Sequence, residues 1–493
     1  MEFPILSMIF LAPILGVLLI LFTSEDDHET IKMIAVIVTS ISLVLSLYVF
    51  LAYDRSVGGL QFVEKVSWVK EFGINYYVGV DGISIPMVLL TSIVIFCGVF
   101  ASWRKEKRVK EFFIWLLVLV AGVFGVFIAQ DLFVFYIFFE LAAIPMYLLI
   151  GIWGSTRKEY AAMKLTLYLL LGSVILVIAI IATYLKAGIG TYSIPELASV
   201  SYSPGFQKFG FFLMLFGFGF LVPMWPLYKW SPDGHVAAPT AVSMLHAGVL
   251  MKLGAYGIIR VAINFFPMGA AHWSTLIAIL CLANVAYGAM VAMAQTDLKF
   301  VIGFSSVSHM GYVLLGVAAL NIISINGAVT QMFAHGIMTA LFFTLIGWVY
   351  NQAHTREIAA FGGLAKKMPR IAIGFMIAGL ASLGLPGLSG FVAEFQVFVG
   401  SFKYNQPVAI VAIFGVVITA VYVLRVIRKV FFGEFNERWS DLEDATGVDF
   451  IPIAVLVGVI VFVGLIPAPL VNLINNGVVP LMTKVTTSIG GGF

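Results

Sequence analysis

Apolar residues run through this chain in blocks of about twenty, separated by short stretches of charge or by Gly and Pro. A helix rises 1.5 Å per residue, so about 20 apolar residues cross the hydrocarbon of a bilayer. Fourteen blocks qualify, at roughly 4–22, 31–53, 84–103, 111–129, 131–153, 161–186, 209–230, 237–262, 273–294, 298–318, 322–350, 371–400, 406–430 and 450–473. The pattern predicts an all-α polytopic membrane protein.

The polar intervals give the orientation. Alternate loops carry RKEKRVK at 104–110, STRKEY at 155–160, and the basic residues of 351–370 and 425–438. Eighteen of the 28 Lys and Arg fall on that side and seven on the other, with Lys164, Lys252 and Arg260 inside spans. The rich side is expected to face the cytoplasm, with both termini outside, in a prokaryotic inner membrane.

Two blocks break their own pattern. FLVPMWPLYKWSPDGHVAAP (220–239) holds four prolines together with Lys229, Asp233 and His235. GLASLGLPGLSGFVAEFQVFVGSF (379–402) holds Pro386 and Glu394. Two Pro/Gly-interrupted spans, five spans apart, point to an inverted-repeat transporter. The organisation expected is three N-terminal helices in 1–110, a first five-helix repeat in 111–263, a second in 273–431, and a last helix and tail in 450–493.

Composition sharpens this. The chain of 493 residues is 61% hydrophobic and 11% charged, with a mean hydropathy of +1.05. Soluble domains are about half apolar and about a quarter charged. The first block lacks a basic leader and carries Glu2, so it reads as a span rather than a cleaved signal. A net charge of +3 says little about partners; the bilayer is one, and nucleic acid is not expected. Two cysteines, Cys97 and Cys281, support neither a metal cluster nor a disulfide, so the chain is expected to hold no cofactor. CxxCH, P-loop and strand–helix GxGxxG motifs are absent from the sequence.

Proline removes a backbone donor and frees the carbonyl one turn back. In lipid such a break survives only when it is buried in protein or wetted. The first break is therefore expected to be a hydrated pocket; the alternative is a simple kink at the cytoplasmic end. Charges at mid-bilayer cost at least about 2.5–3.5 kcal/mol each and are functional by default. Glu140 lies nine residues after Asp131, about 14 Å along a helix. Lys252 is in mid-span, with His246 six residues earlier. His309, His335 and Glu394 supply further ionisable steps in later spans, since neutral imidazole accepts and donates at once. Lys164 stands near the start of its span, where it either snorkels or takes part. Asp131 and Arg260 read as interfacial anchors.

The motifs FFELAAIPMYLLIG, PDGHVAAPTAVSMLHAGVLMKLGAYGIIR, AQTDLKFVIGFSSVSHMGYVLLG, QMFAHGIMTALFF and GLPGLSGFVAEF occur in this order. Together they resemble the antiporter-like proton-pumping subunits of respiratory complex I, the M-type chains above all, over about residues 80 to 435. The related L-type chains carry a long lateral helix, whereas here about twenty residues follow the fourteenth block. The resemblance implies fourteen helices with two inverted five-helix repeats and two broken helices. It implies proton translocation along Glu140, Lys252, His309, His335 and Glu394. It also implies membrane-arm partner subunits, with NAD, flavin, iron–sulfur clusters and quinone on other subunits of the complex. One position departs: the family's lysine, nine residues before the Trp of W-x-P-D, is Leu221 here. Lys229, with Lys164 as the other candidate, is expected to partner Glu140 instead. Rival readings are a subunit of a Na⁺/H⁺ antiporter or of a membrane hydrogenase, and a scaffold that lost its route with Leu221.

Overall fold

The computed structural model describes residues 3–490. The predicted blocks are helices α1 (Ile5–Phe22), α2 (His28–Ala52), α3 (Ser84–Ala101), α4 (Val109–Ile128), α5 (Leu132–Trp153) and α6 (Lys158–Ala187). After a short α7 (Ile194–Ser199) come α8 (Pro204–Leu221), α9 (Trp230–Ala237), α10 (Thr240–Ile263), α11 (Pro267–Ala294), α12 (Leu298–Ala318) and α13 (Ile322–Ala353). The chain continues with α14 (Pro369–Ser382), α15 (Ser389–Tyr404), α16 (Gln406–Phe431), α17 (Ile451–Leu465) and α18 (Ala468–Ile489). Thirteen helices are long and apolar enough to cross a membrane. The interrupted pair α14–α15 makes the fourteenth crossing. Both expected breaks are present, between α8 and α9 and between α14 and α15.

Polar residues at the block edges set where helices begin. Asp131 caps α5 by accepting from the amides of Phe133 and Val134. Asp297 caps α12 in the same way, through Lys299 and Phe300, and Asn321 with Ser324 forms a reciprocal capping box on α13.

The two Asp caps belong to a clasp built twice. The Ile194 amide donates to the Gln130 carbonyl and the Leu132 amide to the Tyr192 carbonyl. Correspondingly, the Ile358 amide donates to Thr296 and the Leu298 amide to Arg356. Each clasp ties the start of one span to the linker after the next span. The strict alternation of spans puts the two clasps on opposite faces, as an inverted pair requires.

Two elements lay outside the predicted spans. Strands β1 (Gln61–Val69) and β2 (Ile74–Val80) form an antiparallel hairpin between α2 and α3. Its Glu64 accepts from the amides of Leu6 and Ser7, so the first helix starts on the same face. The residues after α17 form α18, which lies along that hairpin face. Asn475 meets Asn326, Asn476 reaches the Arg55 carbonyl, and Lys484 donates to the carbonyls of Ala198 and Asn264. The opposite face carries the basic loops. Between the faces α10 and α13 are wholly enclosed and α3 and α12 nearly so, whereas α1, α2 and α16 show most of their surface outward.

Candidate functional site

The first break is closed by protein. Asn284 on α11 accepts from the Trp225 amide and donates to the carbonyls of Pro223 and Val307. The Trp230 indole donates to the Phe220 carbonyl. The Trp225 amide and the Pro223 and Phe220 carbonyls of the break are thus met by a primary amide and an indole. A side-chain amide matches a peptide group in both donor and acceptor, so this part of the break is satisfied by protein.

Deeper in, four side chains from four helices meet. The Lys252 ammonium donates to the Ala247 carbonyl at 2.5 Å and lies 2.7 Å from Nδ1 of His335. The rings of His335 and His309 are 5.3 Å apart, centre to centre. His309 Nδ1 is 3.3 Å from the Glu394 carboxylate and 3.3 Å from the Gln331 amide nitrogen. All four ionisable residues are at most 3% exposed. The row therefore runs α10–α13–α12–α15, crossing from the first predicted repeat into the second between Lys252 and His335.

Local sequence explains the approach. Gly248 and Gly336 face each other so closely that a Cβ on Gly336 would stand 2.6 Å from the Gly248 carbonyl oxygen. Two small residues bring α10 and α13 backbone to backbone, as in other membrane helix pairs. Lys252 is bracketed by wide π turns at His246–Leu250 and Ile258–Ile263, a distortion common at functional sites. At the far end Gly384 has φ +64°, and a Cβ there would stand 2.8 Å from Glu394 Oε2. Only glycine supplies both that backbone conformation and that space.

His246 flanks the row on the basic-face side. It stacks on Trp230 and lies 4.0 Å from the His235 ring, centre to centre. Ser231 Oγ is 3.1 Å from His235 Nε2. His235 Nδ1, both nitrogens of His246, and Nε2 of His309 and of His335 are buried without a protein partner. Buried polar atoms of this kind are ordinarily met by ordered water.

Residues 129–419 match the family model described as NADH:quinone oxidoreductase/Mrp antiporter, TM. The chain is 40% identical over 473 residues to NADH-quinone oxidoreductase subunit M of Rhodobacter capsulatus, covering 93% of this chain and 92% of that one. The chain belongs to the NADH:quinone oxidoreductase/Mrp antiporter family. A chain of respiratory complex I from Thermus thermophilus with bound NADH superposes with a TM-score of 0.89 at 28% identity, covering 97% of this chain and 99% of that chain. A chain of the Mrp complex from Dietzia sp. DQ12-45-1b shares the fold, with a TM-score of 0.87 at 22% identity over 100% of this chain and 99% of that one.

Against the motifs expected of this family, the region around Glu140 is altered. Leu221 fills the family's lysine position in the last turn of α8 and is 4% exposed. Neither Lys229 nor Lys164 forms an ion pair with Glu140 among the described residues. Lys229 sits at the start of α9 with its side chain exposed, because the break turns that residue outward. The Lys164 ammonium is held 2.6 Å from Asp233, a carboxylate on α9 that competes for it. Among the described residues Glu140 makes no ion pair, and its Oε1 is buried without a partner. Tyr136, one turn earlier, lies 3.2 Å from Ser173, so the groups near Glu140 are hydroxyls rather than a cation.

Two features escaped the sequence reading. Arg260, read as an interfacial anchor, pairs with Asp81 at 2.5 Å and donates to Gln130 at 2.8 Å in a largely buried cluster. Lys299, one of the eighteen charges counted on the basic side, is 3% exposed. Asp297 Oδ2 is engaged by Arg356, and Lys299 instead donates to the Ala238 carbonyl at 2.7 Å and to Ser243 at 3.4 Å. It lines a cavity of about 410 Å³ formed by the basic-face loops. Lys105, in the loop lining the same cavity, has its pKa pushed down to about 8 by burial, reinforced by Lys107.

Proposed function

We propose that this chain is the proton-translocating M-type membrane-arm subunit of a complex I-like NADH:quinone oxidoreductase, and that Lys252, His335, His309 and Glu394 carry its protons. The observation behind this reading is the run of those four buried groups across two repeats, in contact at each step except His335 to His309, whose rings are 5.3 Å apart, centre to centre. The repeats are taken as residues 111–263 and 273–431, with 1–110 and 450–493 flanking them. Redox chemistry, with its NAD, flavin, iron–sulfur clusters and quinone, belongs to partner subunits. The basic-loop face is the cytoplasmic face, and both chain ends lie outside.

Each element of the row has a definite task. An approaching negative charge favours the ammonium form of Lys252. A charge shift in a neighbouring subunit therefore changes whether Lys252 holds or yields a proton. His335 takes that proton on the nitrogen facing Lys252 and yields one from the opposite side of the ring, towards His309. His309 passes it to Glu394, held at the broken span by Gly384. Glu140 and His246 act on the row through their charge and through water, and Lys164–Asp233 fixes α9 beside them.

The deciding experiment is Lys252→Ala in the assembled complex, in inverted membrane vesicles oxidising NADH. We expect intact assembly and loss of most coupled acidification. Full pumping in that variant would end the reading.

A further inference from the structure

The row as described begins at Lys252, halfway through α10, and leaves open how a proton reaches it. We propose that Lys299 is the ionisable stopper at the basic-face mouth of the row, and that protons enter past it from the cavity under the basic loops. This rests on the reading of the row as a proton path.

The argument starts from position. Lys299 is the second residue of α12 and Ser243 the fourth of α10, both close to the basic face. A lysine there normally extends to the headgroups. This one points inward, with no carboxylate to hold it among the described residues. Its ammonium rests on the Ala238 carbonyl, the first residue past α9. Ser243 stands beside it and donates to the carbonyls of His235 and Ala238. The same lysine lines the cavity, together with Lys105, Ser155 and His354.

Inward of Lys299 the polar atoms form a ladder. His235 lies two residues before the end of α9, and its Nδ1 is free. The His246 ring is 4.0 Å from it, with both nitrogens free. Lys252 follows six residues, or about 9 Å, further along the same helix. Three unpartnered imidazole nitrogens between one buried lysine and the next are what a water-filled leg requires. While Lys299 holds Ala238, its charge stands at the mouth and repels an entering proton. When it swings into the cavity, or loses its own proton inward, the leg is open.

A purely structural role, as a cap on the last carbonyl of α9, is the competing account. Lys299→Gln separates the two, because the amide keeps a donor for Ala238 but carries no charge. In the whole complex, in inverted vesicles, we expect Lys299→Gln to assemble and, because the uncharged mouth stands open and lets pumped protons flow back, to acidify at less than a tenth of the parent rate per NADH oxidised. Lys299→Cys gives a chemical test of charge. Its thiolate displaces methanesulfinate from 2-aminoethyl methanethiosulfonate, forming a disulfide that restores an ammonium; methyl methanethiosulfonate adds only a neutral methylthio group. The chain's own Cys97 and Cys281 are buried, and parent vesicles treated alike control for other subunits. Recovery to at least half the parent rate with the aminoethyl reagent, and none with the methyl reagent, supports the stopper. Normal pumping by Lys299→Gln, or equal recovery with both reagents, overturns it. Lys252→Ala run in parallel tells the two claims apart: a silent Lys252→Ala beside a normal Lys299→Gln removes the port and leaves the row.

Discussion

Gly384→Ala tests the row without touching a titratable group. An alanine held at the φ of +64° seen there costs about 1–2 kcal/mol. Its Cβ would stand 2.8 Å from Glu394 Oε2, and ordinary contact begins at 3.4 Å, so the carboxylate must withdraw by about 0.6 Å. The His309–Glu394 contact is already 3.3 Å, the long end of a hydrogen bond, and at about 3.6 Å or more it ceases to be one. The backbone cost is too small to prevent assembly, but the last hop of the row loses its contact. We expect the ratio of acidification to NADH oxidation to fall at least tenfold, equivalent to about 1.4 kcal/mol on that step. The assay is dye quenching in inverted vesicles, with assembled complex measured on a native gel. Parent-like pumping by fully assembled Gly384→Ala would refute the reasoning.

Other expectations follow from the polar clusters. Arg260→Leu leaves Asp81 buried and unpaired, a loss of about 3–5 kcal/mol, so assembled complex should be scarce on native gels and partly recovered in the double variant with Asp81→Leu. Asn284→Leu strips partners from the Trp225 amide and the Pro223 carbonyl, at about 1–3 kcal/mol for each orphaned group, and should lower the thermal midpoint of the purified complex. Asp233→Asn weakens a partly exposed pair with Lys164, so its effect on that midpoint should be within about 1 kcal/mol; a large drop would show that α9 depends on this pair more than its exposure implies.

The spans and both breaks were legible because they rest on local signals: apolar run length, proline, glycine and alternating basic loops. The row residues stood out for the same reason, as ionisable groups where lipid penalises them. Which of them touch was not legible. His335 meets Lys252 because Gly248 and Gly336 let two distant helices close up, and spacing within either helix carries no trace of that. Lys299 was hidden by its neighbours: next to Asp297 and a loop, it counted among the basic-side charges until its side chain was seen to turn inward. Asn284 carries no periodic signal, yet it pins the first break through the Trp225 amide and the Pro223 carbonyl. Lys229, expected to stand in for the lysine absent at Leu221, is exposed at the start of α9, because a broken helix does not keep the angular register that counting along the chain assumes.

The depth of the row has an electrical consequence. Lys252 is the thirteenth residue of a 24-residue crossing, His309 the twelfth of 21 and His335 the fourteenth of 32. They lie near one level, so a charge passing from Lys252 to Glu394 travels along the membrane rather than through it. Moving a unit charge across the full membrane potential takes about 2.3 kcal/mol per 100 mV. Sideways passage takes almost none of that work. On the proposed path the voltage therefore bears on the legs at either end, and transfer between Lys252 and His309 is expected to be nearly insensitive to it.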